Sequence, residues 1–325
     1  MIGAPRRRSV LGLIACTAAA LGGSVTAAVR AHGGPPEPPQ PGRSWQKQHE
    51  TCADTNFRSL PPSPLPRPRH MAAGTLMRRI QDRGRLLVGV DQSLQGLGYS
   101  RRAAARFAGL DIALLREVAR AILGAPLIVL APAPPKRLES LLAGNGVDVV
   151  ASALPLTCER RQRMLFSSVY YRGPQRLLVM RGSRIRSLAD LRGQDVCAVA
   201  GSSSLERLQR EPGVTPHPED QRADCLVDLQ RGDVAAITAD DAVLFGFRHQ
   251  DKTTRIVRTC LGIERYAMAI NEHQPAFVRF VNAVLARLRR NGKARRFREQ
   301  WLKGLPAPTP ATIARCDRRA PGMAP

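Results

Sequence analysis

A chain of 325 residues, 43% of them hydrophobic, is long enough for two domains with cores of their own, which argues against a single small module. Its formal charge of +24 rests mostly on arginine, a balance that suits a polyanion partner such as nucleic acid or an anionic envelope surface. An export signal at the N-terminus argues against the first.

That signal is Arg6-Arg7-Arg8, a positive n-region, followed by the uncharged, mostly apolar and small-residue run Val10 to Leu21. Leu13-Ile14-Ala15-Cys16 resembles a lipobox, with Cys16 as the lipidated residue. Ordinary cleavage after Ala28 or Ala31 and an uncleaved anchor over Val10 to Val29 stay open, the last because that span approaches the roughly 20 residues a membrane requires. Each route leaves the folded part outside the cytoplasm. The next stretch, 32–73, is mostly rich in Pro, Gly and charge with no hydrophobic period, and is expected to be a disordered tether.

Helix is expected over Gly74 to Arg83 and a buried strand over Leu86 to Val90. Leu110, Leu114, Val118 and Ile122 then share one face of a helix running to Leu123. Strands at Leu127 to Leu130 and Val147 to Ala151 flank a short helix from Arg137. The charged cluster Thr157-Cys158-Glu159-Arg160-Arg161 follows the second of these strands, at the C-terminal edge where open α/β sheets bind ligands.

The alternation restarts after Tyr171, with strands at Leu177 to Met180, Val196 to Ala200, Val234 to Thr238 and Arg265 to Ile270. Helices are expected from Ser203, over Asp224 to Arg231 and over Asp241 to Phe247. Ser203 and Glu206 stand at capping-box spacing. An amphipathic helix from Pro275 to Arg290 and another near Phe297 to Leu302 close the pattern, and the tail from Pro306 is expected to be irregular. The fold class is therefore α/β, with two lobes whose chain crosses near Arg172 to Arg176 and again near Arg265 to Ala267. The expected segments are 1–31 signal, 32–73 tether, 74–172 first lobe, 173–267 second lobe, 268–304 return to the first lobe, and 305–325 tail.

Leu154 to Tyr171, reading LPLTCERRQRMLFSSVYY, resembles the T-x-E-R…F-S-x-x-Y signature of bacterial extracellular solute-binding proteins for polar amino acids. Gly89-Val90-Asp91, the run Val196 to Leu205, Ala223-Asp224-Cys225, Ala239-Asp240-Asp241 and Phe277 to Asn282 extend the likeness from Arg85 to Leu302. Within that family the chain is most similar to the glutamate-binding lipoproteins of actinobacteria. The resemblance implies a type II periplasmic-binding-protein-like fold and a polar amino acid of the glutamate, aspartate, glutamine or asparagine class as ligand. It further implies an ABC permease or a membrane sensor as partner, a lipid anchor on the membrane, a monomer, and neither cofactor nor nucleic acid.

It assigns Arg160 to the ligand α-carboxylate together with the N–H groups of Ser202 and Ser203, and Asp240 to the α-ammonium, with Asp241 as the alternative. Asp91 faces the ligand side chain or ammonium, and Ala153 is a further ligand-binding position. The chain departs from the pattern at Pro155, which has no N–H to give, and at Leu94 and Ala133-Pro134, where aromatic walls are missing. A degenerate fold serving as an envelope scaffold is therefore a second reading. An enzyme on the same scaffold is not expected, because Glu159 is the only acid beside the arginine and no Ser/His/Asp constellation is evident.

Six cysteines remain outside the signal, which in an exported chain implies disulfides. The positions of the elements suggest Cys197–Cys225, Cys52–Cys158 and Cys260–Cys316. No metal site is expected, since no two cysteines are spaced C-x-x-C, and His217 and His249 are read as solvated.

Overall fold

The computed structural model describes residues 58–92, 96–101, 106–133 and 136–317. The signal segment, Cys16, Cys52, Leu94 and Pro134 lie outside them. Among the described residues no helix is long and apolar enough to cross a membrane.

The chain forms two five-stranded sheets. The first has the order β4-β1-β5-β12-β6, from β1 (Leu86–Val90), β4 (Ile128–Pro132), β5 (Val149–Val150), β6 (Leu165–Phe166) and β12 (Ala269–Ile270). β1 runs parallel to β4 and β5, while β12 is antiparallel to its neighbours. Apart from the half-exposed Leu87, β1 is buried along its length, as a central parallel strand covered on both faces should be. Its cover comes from α1 (Leu76–Arg83), α2 (Leu110–Leu123) and α8 (Pro275–Arg290). α8 sinks Phe277, Phe280, Val281, Val284 and Leu288 into the same core. A small hairpin, β2 (Tyr99–Arg101) and β3 (Arg106–Ala108), precedes α2.

The second sheet has the order β11-β7-β10-β8-β9, built from β7 (Tyr171–Met180), β8 (Asp195–Val199), β9 (Thr215–Glu219), β10 (Ala236–Asp240) and β11 (Thr254–Tyr266). α5 (Ser203–Leu208), α6 (Arg222–Arg231) and α7 (Asp241–Gln250) pack around it. β7 carries the chain out of the first lobe and β11 brings it back, the two pairing antiparallel from Tyr171 opposite Tyr266 to Met180 opposite Thr254. At that crossing Gly173 is required by close approach, because a Cβ there would collide with the Asp241 carboxylate and the Tyr171 ring.

Several expectations need correction. β9 was not anticipated because Thr215-Pro-His-Pro-Glu reads as a loop. It is an edge strand, the one place in a sheet where proline's missing N–H costs little. Residues 58–73, expected within the disordered tether, lie against the first lobe. Asn282 Nδ2 donates to Ser59 Oγ and to the Leu60 carbonyl, Ser59 Oγ donates to the Phe166 carbonyl, and Leu60 and Leu65 join the core. The tail is not wholly irregular either. Pro310 opens the helix α10 (Pro310–Asp317) at a position where its missing N–H is not needed, and Thr309 accepts from the Thr312 N–H.

Two disulfides join described residues, Cys197–Cys225 and Cys260–Cys316. Cys260 sits in the bulge of β11 between Val257 and Gly262, so its bond ties α10 to the second sheet. Cys158 is disulfide-bonded as well, and its expected partner Cys52 is outside the described residues.

Candidate functional site

Thr157 caps the single-turn helix α4 (Cys158–Arg161), its Oγ1 accepting from the Arg160 N–H at 3.3 Å. The cap turns the Arg160 side chain inward, where 6% of the residue is exposed. Its Nη1 donates to the Pro155 carbonyl at 2.9 Å and its Nη2 crosses to the Gly201 carbonyl of the second lobe at 2.7 Å. Pro155 thus lacks an N–H but orients the arginine through its oxygen. Gly201 sits at φ +72°, which presents that carbonyl just ahead of α5. Burial lowers the Arg160 pKa, with Glu206 and Glu264 opposing the shift, and the group stays cationic.

The start of α5 is one residue earlier than the capping-box spacing suggested. Ser202, not Ser203, is the cap, its Oγ accepting from the Leu205 N–H at 3.2 Å. The Ser202 N–H donates to the Val199 carbonyl and is not free for a ligand. Ser203 and Ser204, the first two helical residues, have no intrahelical acceptor and are buried at the positive end of the helix.

Asp240 caps α7, its Oδ1 accepting from the N–H groups of Ala242 and Val243 at 3.1 and 3.0 Å. Burial raises its pKa, against the lowering effects of Tyr266, the Val243 N–H and Arg222. The Tyr266 hydroxyl is buried beside it and, among the described residues, has no hydrogen bond of good geometry. Asp241 instead accepts from the Tyr171 hydroxyl at 2.7 Å, beneath the crossing strands, and burial pushes its carboxyl up to about 7.

Sequence reasoning missed two residues here. Arg222, the first residue of α6, reaches from the second lobe to Asp91 at the end of β1, Nε to Oδ2 at 2.7 Å. Burial alone would lower the Arg222 pKa, but Asp91 and Asp240 more than offset it and raise it. Asp111, on α2, accepts from the Ala153 N–H at 3.0 Å and the Tyr170 hydroxyl at 2.8 Å, and burial lifts its pKa to about 6. Ala153, at φ +46°, therefore gives its N–H to Asp111. The only signal for Asp111 was an acid inside an otherwise apolar helix face; Arg222 had none. Lys136 and Asp220 form a third polar bridge between the lobes.

The site is thus a seam between two lobes where a buried guanidinium, a helix N-terminus and capped carboxylates converge. Residues 86–304 match the model of the bacterial extracellular solute-binding proteins, family 3. The chain belongs to that family. A glutamine-binding protein of an ABC transporter from Bacillus subtilis is 27% identical over 231 residues, 70% of this chain and 85% of its own. A glutamate-binding protein from Corynebacterium efficiens is 27% identical over 230 residues, 66% of this chain and 78% of its own. Among solved structures, a mutant ArgBP from T. maritima superposes with a TM-score of 0.65 at 26% identity, covering 70% of this chain and 98% of that one. The fold of this family 3 protein is the type II periplasmic-binding-protein fold, and the family's extracellular description agrees with an export signal.

Proposed function

We propose that this solute-binding protein captures a polar amino acid between its lobes and presents it to a membrane importer of the ABC type. Arg160 carries the reading. It is a buried cation at the lobe seam, with two of its five N–H donors on main-chain carbonyls. An α-carboxylate entering the seam replaces the Gly201 carbonyl with a charged, fork-shaped acceptor, which a guanidinium prefers. The Ser203 N–H at the start of α5 adds a second donor, and Asp240 on the opposite strand end takes the α-ammonium. The relatives named for glutamine and glutamate support a side chain of that size and polarity.

Asp91 does not stand against an acidic side chain, because Arg222 neutralises it in place. A side-chain carboxylate or carboxamide competes with Asp91 for the Arg222 guanidinium, so we assign the side-chain subsite to this pair. Cys16 as lipid anchor, a permease as receiving partner and a non-catalytic role complete the proposal. The scaffold reading draws on the polar bridges between the lobes, Arg160 to Gly201, Arg222 to Asp91 and Lys136 to Asp220.

Calorimetry on Arg160→Ala and Arg160→Lys tests the assignment. Alanine removes the charged partner of the α-carboxylate and should weaken binding by roughly 2–5 kcal/mol. Lysine should restore only part, since it lacks the fork. Unchanged affinity in Arg160→Ala would remove Arg160 from the site.

A further inference from the structure

We propose that His217, Glu219 and Asp228 form a divalent transition-metal site on the outer edge of the second lobe, separate from the amino-acid seam. His217 and Glu219 alternate on the edge strand β9 and so point to the same face, the one α6 covers. Asp228 descends on them from α6. His217 Nε2 lies 3.3 Å from Glu219 Oε1 and 3.4 Å from Asp228 Oδ2, and one donor atom from each residue falls within 4.8 Å of the others. Donors bound about 2.1 Å from a tetrahedral zinc ion are separated by about 3.4 Å. The two separations from His217 Nε2 match that edge.

Three independent observations raise this above a chance meeting of side chains. Asp228 Oδ2 is a wholly buried carboxylate oxygen that makes no hydrogen bond among the described residues, although it faces His217. In a chain with 50 Lys and Arg against 26 Asp and Glu, neither Glu219 nor Asp228 has an arginine or lysine within ion-pair distance among the described residues. The site is also braced covalently. His217 pairs in register with Cys197 on β8, Cys197 is bonded to Cys225, and Asp228 lies one helical turn beyond Cys225 on α6. The disulfide therefore clamps the helix that carries one ligand to the strand beside the other two. One imidazole nitrogen and two carboxylate oxygens suit zinc or a neighbouring divalent ion and leave a position for water.

The test is calorimetric titration of zinc chloride alone into the chelator-stripped, untagged protein, with thermal melts alongside. The parent should bind one equivalent and melt at higher temperature with zinc than without. His217→Ala, and separately the near-isosteric Asp228→Asn and Glu219→Gln, should each weaken that binding by more than about tenfold. Their zinc-free melts report whether each variant is folded. A parent that binds no zinc, or folded variants that bind it as tightly as the parent, would overturn the site and leave a histidine shared between two carboxylates.

Discussion

At the scale of single residues, the seam holds more buried charge than the motifs suggested, and burial raises three of its carboxyl groups, Asp111, Asp240 and Asp241, with nearby cations offsetting the last two only in part. Asp241 is the sharper case. Burial lifts it to about 7 from an ordinary 3.8, Asp240 adds to the rise, and Tyr171, Arg176 and Arg298 only partly oppose it. An acid whose folded pKa is raised binds its proton more tightly in the folded state. The associated stability is full below the ordinary carboxylate pKa and is lost as pH rises from about 4 to about 7, on the order of 4 kcal/mol in all. Asp111, raised to about 6, acts in the same direction over a narrower range. Thermal melts between pH 5 and pH 8 should show the midpoint falling as pH rises, with a shallower fall in Asp241→Asn. An identical slope in parent and variant would mean that Asp241 is not held protonated.

The Arg222–Asp91 pair makes a separate prediction about selectivity. Asp91→Asn releases Arg222 from its internal partner and should shift preference toward ligands with an anionic side chain, by about tenfold or more relative to the carboxamides. Arg222→Gln should shift it the other way. A selectivity ratio that neither change moves would place the side-chain subsite elsewhere.

Among the elements, the segment before the first helix matters more than its composition implied. Asn282 on α8 is 3% exposed and holds that segment through Ser59 and Leu60, while its Oδ1 accepts from the Ser168 N–H at 2.6 Å. Replacing Asn282 with alanine strands buried partners on two sides, and should cost about 1–3 kcal/mol of stability in denaturant unfolding. A loss within about 0.5 kcal/mol would show that the segment contributes little. The physical reason the sequence misled here is that a proline-rich extended segment has no hydrophobic period to read. Its docking depends on Asn282, more than two hundred residues away, and on the pockets that take Leu60 and Leu65.

For the whole molecule, the two-lobe α/β fold was legible because β1, the Leu177 to Met180 end of β7, and most of β8 and β10 are apolar runs alternating with amphipathic helices. Arg160 was legible for a different reason: its motif follows a strand end, and Thr157 supplies a local cap that aims it. The bridges between lobes were not legible. Arg222 and Asp91, or Arg160 and Gly201, meet only after both lobes have folded and closed, and no local spacing encodes that. β9 was missed because its prolines mask an edge strand. His217 does remain partly solvated, its side chain 37% exposed, but its alignment with Glu219 and Asp228 could not be read without β9.

Binding of a polar amino acid at the seam is what every functional role proposed for these residues requires. It is tested most directly by calorimetric titration of the folded protein against the twenty amino acids, one at a time. One-to-one binding is expected from a member of the glutamate, aspartate, glutamine and asparagine class, with weaker or no heat from the apolar set. Silence from all twenty, with circular dichroism showing a folded chain, would contradict it and leave a closed scaffold whose arginines hold only its own backbone and carboxylates.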